Sequence, residues 1–311
     1  MTQTSPTTAV AAAAEVSVVM PVYNAARYLA EAVESILAQT YREFEFVIVD
    51  DGSTDRSRPM LDQYARRDAR IKIIRRPNTG IVGALNDGIA GSSAPLIARM
   101  DADDVSAPQR LEKQIAYMRQ HPECVALGAR VTGIDPYGCV LFASEHKLVH
   151  DEIDAELLNG VGWAIVHPVA MLRRNSLQRV GGYRREWQWV EDLDLFLRLA
   201  EVGKLANLPD RLLHYRQHTE SINRTRATEQ ARLADACVRE AYRRRGRDVP
   251  QGWTFVPKLK PSKPQQLATW AWRAMKAGNV PVARKHAVAL WKAAPLSVQS
   301  WRTLYCAMRG R

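Results

Sequence analysis

Between residues 16 and 98 the chain alternates short apolar runs with longer stretches in which every third or fourth position is apolar. Residues 16–20, 44–49, 71–74 and 96–98 are runs of strand length rich in Val, Ile, Leu and Phe, and they read as buried parallel strands. After the first run, Leu29, Val33, Ile36 and Leu37 fall on one helical face, and Asn78-Thr79-Gly80 opens a second helix through Leu85 and Ile89. Strand and helix in this alternation predict an α/β fold with a doubly wound, mostly parallel, Rossmann-like nucleotide-binding sheet. Further on, residues 108–120 read as helix and 124–127 as strand, while 131–161 keep no clean period. Residues 165–172 read as a strand ahead of a short helix that ends near Gly181 and Gly182. Leu193, Phe196, Leu197 and Ala200 mark a later helix whose first turn carries Glu191, Asp192 and Asp194, where carboxylates suit the helix dipole.

Two of the expected strands end in acids: Asp50 and Asp51 follow the second, and Asp101, Asp103 and Asp104 follow the fourth. Parallel strands present their carboxyl ends on one edge, which is where open α/β sheets bind ligands. Clustered carboxylates there offer hard oxygen ligands to a divalent metal carrying a diphosphate. A lone acidic turn could equally be solvated surface. Two acidic turns on one edge favour the ligand reading.

The 311 residues are 46% hydrophobic and 25% charged, which is globular composition. No apolar run approaches the roughly 18 residues that a membrane span needs. Residues 1–14, rich in Thr, Ser and Ala and without a basic start, read as a disordered leader. Cys124, Cys139, Cys237 and Cys306 lie far apart with no paired spacing, against a zinc site or a disulfide framework. A reducing, cytoplasmic setting is expected. Charge is unevenly spread: residues 1–223 hold 25 Lys and Arg against 29 Asp and Glu, and residues 224–311 hold 19 against 4. In that basic part helices are expected at 224–247, 265–277, 280–293 and 297–308, interleaved with Trp253, Trp270, Trp272, Trp291 and Trp301. Basic residues among indoles suit an anionic membrane surface, making the protein peripheral on the inner face of the plasma membrane. A small bundle with its tryptophans in the core is the competing reading. Nothing resembles a nucleic-acid-binding motif, and no nucleic acid partner is expected.

Taken in order, residues 17–24, the Val49–Asp55 acidic turn, Asn78-Thr79-Gly80, Asp101-Ala102-Asp103-Asp104, Gly181-Gly182-Tyr183 and Glu191-Asp192 resemble the motifs of family 2 glycosyltransferases with the GT-A fold. The resemblance covers about residues 15–220 and includes the closing strand and turn at 208–216. It implies a GT-A domain over 15–220 followed by a basic, Trp-rich helical region over 221–311. It implies that Pro21 to Tyr23 and Asp50 cradle the nucleobase, with Asn24, Asp51, Asn78 and Gly80 in the same donor-binding set. Asp103 is then the direct ligand of Mg²⁺ or Mn²⁺, and Asp101 faces ribose or metal-bound water. Asp192 is the implied base, and Glu191 binds sugar or acceptor; helix capping is the plain alternative for this pair. The implied reaction is inverting transfer from a UDP-, dTDP- or GDP-sugar to a hydroxyl of a glycan or lipid-linked acceptor, in synthesis of cell-surface polysaccharide, lipopolysaccharide or glycolipid.

Other residues keep two readings. His167 either contacts donor or metal or is a hydrogen-bonded structural residue. Trp187 and Trp189 either line the acceptor cleft or belong to the core. Arg216 and His218 either meet the diphosphate or are solvated, and Arg75 and Arg76 read as surface charge. Two rival functions share the fold: a nucleotidyltransferase, which would carry a Gly-rich basic loop where this chain has Pro21 to Asn24, and a non-catalytic sugar-nucleotide or glycan-binding protein, which would not need Asp192.

Overall fold

A computed structural model describes residues 14–218, 227–253 and 261–310. Apart from its last residue, the expected leader lies outside the described residues, as do the first residues of the expected helix at 224–247. The apolar runs form β1 (Val16–Val22), β2 (Phe44–Asp50), β3 (Ile71–Arg75) and β4 (Leu96–Arg99), joined by α1 (Leu29–Leu37), α2 (Ser57–Arg67) and α3 (Ile81–Ala90). They pair in parallel in the order β3-β2-β1-β4. β5 (Val105–Ser106), α4 (Arg110–Gln120), β6 (Cys124–Ile134), β7 (Val140–Ala143) and α5 (His150–Leu158) follow, the last two within the stretch that showed no period.

The expected strand at 165–172 is corrected: residues 167–169 form a 3-10 turn, and within this stretch only β8 (Met171–Arg173) joins the sheet, running into α6 (Arg174–Arg179). Pro168, which has no N–H to give a ladder, sits in the first turn of that 3-10 segment. β8 runs antiparallel to both β4 and β6. α7 (Glu191–Leu199) and β9 (Lys204–Arg216) complete the sheet, β9 parallel to β6 and antiparallel to the short β5. The first half of the sheet is thus parallel, as expected, and the second half is mixed.

Side chains alternate across the sheet, and both faces are covered. Val16, Val18, Met20 and Val22 of β1 pack with α1, α2 and α4, whereas Val19 joins the opposite layer with Leu85 of α3 and Phe196 of α7. α8 (Ala227–Arg244) belongs to that second layer through Ala234, Cys237, Val238 and Ala241. The remaining helices, α9 (Lys263–Lys276), α10 (Val280–Ala293) and α11 (Val298–Arg309), build a separate core around Trp270, Ala271, Ala283 and Leu290 that takes in Leu141 of β7. No helix among the described residues is long and apolar enough to cross a membrane.

Candidate active site

The carboxyl ends of β1, β2 and β4 meet at one edge because they are neighbours in the sheet. Beyond β1, Asn24 adopts φ 48°, unusual for a residue with a side chain, and its Oδ1 accepts the Thr54 N–H at 2.8 Å. Asn24 thereby ties the turn after β1 to the turn after β2. Asp50 is fully buried, and its oxygens accept from the Ser53 N–H at 2.9 Å and the Arg58 Nε at 2.8 Å, so it braces its own turn. Its neighbour Asp51 lines the cleft and accepts the backbone N–H groups of Thr79 at 3.1 Å and Gly80 at 2.9 Å. Arg76, expected as surface charge, pairs with Asp51 at 3.0 Å and has a largely buried side chain. Gly52, at φ 80°, lies where a Cβ would stand 2.7 Å from the Asn78 nitrogen, so only glycine lets the two turns touch.

At the end of β4 the acids surround a buried cation. Arg99 is 3% exposed and pairs with Asp101. Burial raises the Asp101 carboxyl above its usual range despite Arg99, and Asp103 adds to the rise. Burial also pushes Asp104 well up, with the charges of Asp103 and Asp101 in the same direction. Asp104 accepts the Arg216 N–H at 2.8 Å through Oδ1, while its Oδ2 is buried with no hydrogen-bond partner. Asp103 meets the His218 Nε2 at 2.8 Å, and its carbonyl accepts from the Arg216 Nε at 2.7 Å. One oxygen from each of Asp101, Asp103 and Asp104 lies within 4.8 Å of the others. Three crowded carboxylates, one with an orphaned buried oxygen, are a donor set that fits a hard divalent cation.

His167 is settled as structural. It is buried with Nε2 2.6 Å from the Tyr183 hydroxyl, and burial together with Arg99 holds it well below the usual histidine range, hence neutral. The two tryptophans divide: Trp187 is buried in the second core layer, and Trp189, at φ 85°, lines the cleft.

α7 delivers the second acid pair. Glu191 is buried, lines the cleft and accepts the Trp189 N–H at 2.7 Å; burial, then the charge of Asp192, pushes its carboxyl up to about 7. Asp192 is half-buried at the second position of α7 and accepts the Leu193 N–H at 2.8 Å; the N-cap position is Val190, and no side chain caps it. Burial raises its pKa, and the charges of Arg99 and Asp101 both act on it. The pair at the start of α7 and the acids after β4 therefore share one electrostatic neighbourhood.

A cleft of roughly 1860 Å³ joins Pro21, Tyr23, Asn24, Asp51, Asn78, Gly80, Asp101, Asp103 and Glu191. Such a volume exceeds the roughly 300–1,000 Å³ of a single small-ligand pocket. Its far wall comes from α9 and α10, with Lys263, Trp270, Arg273, Lys285 and Lys292. The sequence reading gave those helices no part in the site. The signal available was their basic residues interleaved with Trp270 on a helical period, which is equally the signature of a surface helix.

The profile described as Glycosyl transferase family 2 matches residues 17–181. The chain is 33% identical over 215 residues to the putative glycosyltransferase EpsE of Bacillus subtilis, covering 68% of this chain and 76% of that one. It is 34% identical over 236 residues to the O-antigen biosynthesis glycosyltransferase WbnJ of Escherichia coli, covering 74% and 90%. Among solved structures, S. aureus TarS 1-349 in complex with UDP superposes with TM-score 0.56 at 17% identity over 96% of this chain and 92% of that one. The mannosyltransferase PcManGT of Pyrobaculum calidifontis, in complex with GDP-Man and Mn²⁺, superposes with TM-score 0.57 at 18% identity over 95% and 85%. Both share the GT-A fold. The six motifs, the mixed sheet with its acidic edge and these matches agree, and the chain belongs to glycosyl transferase family 2 as a GT-A enzyme.

Proposed function

We propose that the enzyme transfers a sugar from a nucleotide-sugar donor to a hydroxyl of a glycan or lipid-linked acceptor, with inversion at the anomeric carbon and dependence on Mg²⁺ or Mn²⁺. The observation that carries this reading is that Asp101 and Asp103 after β4 and Glu191 at the start of α7, about 90 residues apart in sequence, line one cleft, with Asp192 next to Glu191 just outside that lining. Asp101 and Asp103 would hold the cation, whose chemistry is to stabilise the negative charge that builds on the departing diphosphate. Tyr23, 49% exposed at the cleft, offers its ring to the base, and Asp51 fixes the Thr79–Gly80 turn beside it. Asp192 takes the proton of the acceptor hydroxyl as that oxygen attacks the anomeric carbon, and Glu191 orients the sugar or acceptor. A single displacement turns an α-linked donor into a β-linked product.

The similarity to an O-antigen enzyme and the extra cleft volume walled by basic helices support a cell-surface glycan role with a large, anionic or lipid-linked acceptor. The same basic helices suit docking at the inner face of the plasma membrane. The test is a screen of UDP-, dTDP- and GDP-sugars for Mn²⁺-dependent donor hydrolysis, which needs no known acceptor. Asp103→Ala should abolish metal-dependent donor binding. Asp192→Asn should keep donor affinity and lose transfer by about 10²–10⁴-fold. Turnover near the wild-type rate in Asp192→Asn would remove that residue from its role.

A further inference from the structure

α11 is built inside out. Its fully buried positions are small or polar, Ser300, Thr303 and Ala307, with only Leu304 among its larger apolar residues packed against the core, and the hydroxyls of Ser300 and Thr303 find no hydrogen-bond partner there. Its outward side carries Val298 (84% exposed), Trp301 (54%), Tyr305 (58%) and Met308 (57%), and Leu296 just before it is 98% exposed. At 3.6 residues per turn those four helical positions fall within about 80° of the circumference. Scattered apolar residues on a surface need no explanation, but a contiguous stripe of large ones does. The stripe is held in place: Arg284 donates to the carbonyls of Ala307 and Met308, Gly310 closes the helix in the left-handed conformation, and Trp301 packs edge-on to Trp291.

Charge selects what covers it. Residues 261–311 contain nine Lys and Arg and no Asp or Glu. A second copy meeting this face would set like charge against like. Arg302 and Arg309 stand on the flank of the stripe, the latter over the Tyr305 ring at 4.7 Å. Trp and Tyr beside Arg, on a helix with one apolar face, are the composition of a segment that lies in the plane of an anionic membrane interface.

We propose that the outward face of α11, with Leu296, is the membrane-docking element of this enzyme and inserts among the headgroups of an anionic lipid bilayer. The proposal deepens the functional reading above and rests on it for its purpose. Lys292 and Ala293 at the end of α10 line the cleft, and the stripe begins at Leu296, so a lipid-linked acceptor anchored in the same leaflet would enter beside its own bilayer.

The test uses the full chain with vesicles of phosphatidylcholine alone and of phosphatidylcholine mixed with phosphatidylglycerol. Expected is flotation with the mixed vesicles at low salt, little with phosphatidylcholine alone, and a blue shift of tryptophan emission on binding. The variant Trp301→Ser/Tyr305→Ser/Met308→Ser should partition at least about tenfold more weakly. Arg302→Glu/Arg309→Glu should lose the preference for anionic lipid while keeping the apolar face intact. Both variants should keep wild-type donor hydrolysis, which reports that the catalytic body is folded. Binding by the triple variant equal to wild type, or no wild-type binding to the mixed vesicles, overturns the proposal. So does a wild-type dimer that the triple variant dissolves, since the face would then belong to a second copy. Wild-type vesicle binding with no donor hydrolysis on any nucleotide sugar would instead defeat the functional reading and leave the docking face standing.

Discussion

Glu191 is held at a cost. Its carboxyl is buried at the start of α7 beside Asp192, and its pKa is pushed from 4.5 to about 7. In the unfolded chain the group ionises near its usual value, so between about pH 4.5 and 7 the native state binds the extra proton and stability falls as pH rises. The cost is absent below that window and complete above it, on the order of 3 kcal/mol at 1.36 kcal/mol per unit. Glu191→Gln keeps an oxygen for the Trp189 N–H and removes the charge. Its melting temperature should therefore exceed that of the wild type at pH 8, with the difference vanishing by pH 4.5. Equal shifts at both pH values would mean that packing and not ionisation separates the two. The acids after β2 and β4 were legible in the sequence, because two acidic turns on one sheet edge favour a ligand where a lone one does not. Arg99 was not. A lone arginine at a strand end looks like surface charge until the fold buries it among Asp101, Asp104 and Tyr183. Asp50 and Asp51 were not separable either: which of two adjacent carboxylates points into the cleft depends on the turn geometry set by Gly52 and Asn24.

Along β1 to β4 the elements could be read because strands buried on both faces are continuous apolar runs bounded by turns. Residues 131–161 could not. β6 changes register near Ala126, Arg130 and Val131 against β9, so its residues lose a clean alternation, and β7 and α5 are too short to establish a period. The junction that carries α10 was equally hidden, because it joins Asp135 to His286 across 151 positions. Asp135 is fully buried; its Oδ2 accepts from the Lys285 Nζ at 2.7 Å and the His286 Nε2 at 3.0 Å, and its Oδ1 from the Tyr137 and Cys139 N–H groups. Burial alone would raise that carboxyl, yet its bonds to His286, Lys285 and the backbone hold it well below the usual range. Asp135→Ala leaves buried donors without an acceptor and should cost about 3 kcal/mol in denaturant unfolding. The loss should fall on the helical wall first. Limited proteolysis should cut within α9 to α11 in the variant under conditions where the wild type is intact; uniform cleavage across the sheet would show that the residue serves the sheet alone.

The sheet edge and the helical core around Trp270 are separate hydrophobic bodies that share the cleft between them. Among the links that cross it are the Asp135 cluster, the Trp270 Nε1 bond to Gln217 at 3.0 Å, and the Gln266 approach to the His218 carbonyl at 3.5 Å. Gln217 and His218 directly follow β9, and His218 also touches Asp103, so the wall is mechanically connected to the acidic edge. A ligand that occupies the edge should therefore tighten the wall as well, since binding stabilises every contact that the bound state requires. Hydrogen exchange measures this directly. Nucleoside diphosphate with Mn²⁺ should slow exchange in residues 78–81 and 101–104 and, to a smaller degree, in α9 and α10, while α11, whose outward face lies away from these links, should exchange at its free rate. If a cation held by Asp101 and Asp103 seats the diphosphate, as proposed, Asp103→Ala should remove both effects together. Slowing confined to the sheet edge would mean that the two bodies respond independently and that the wall serves only the acceptor.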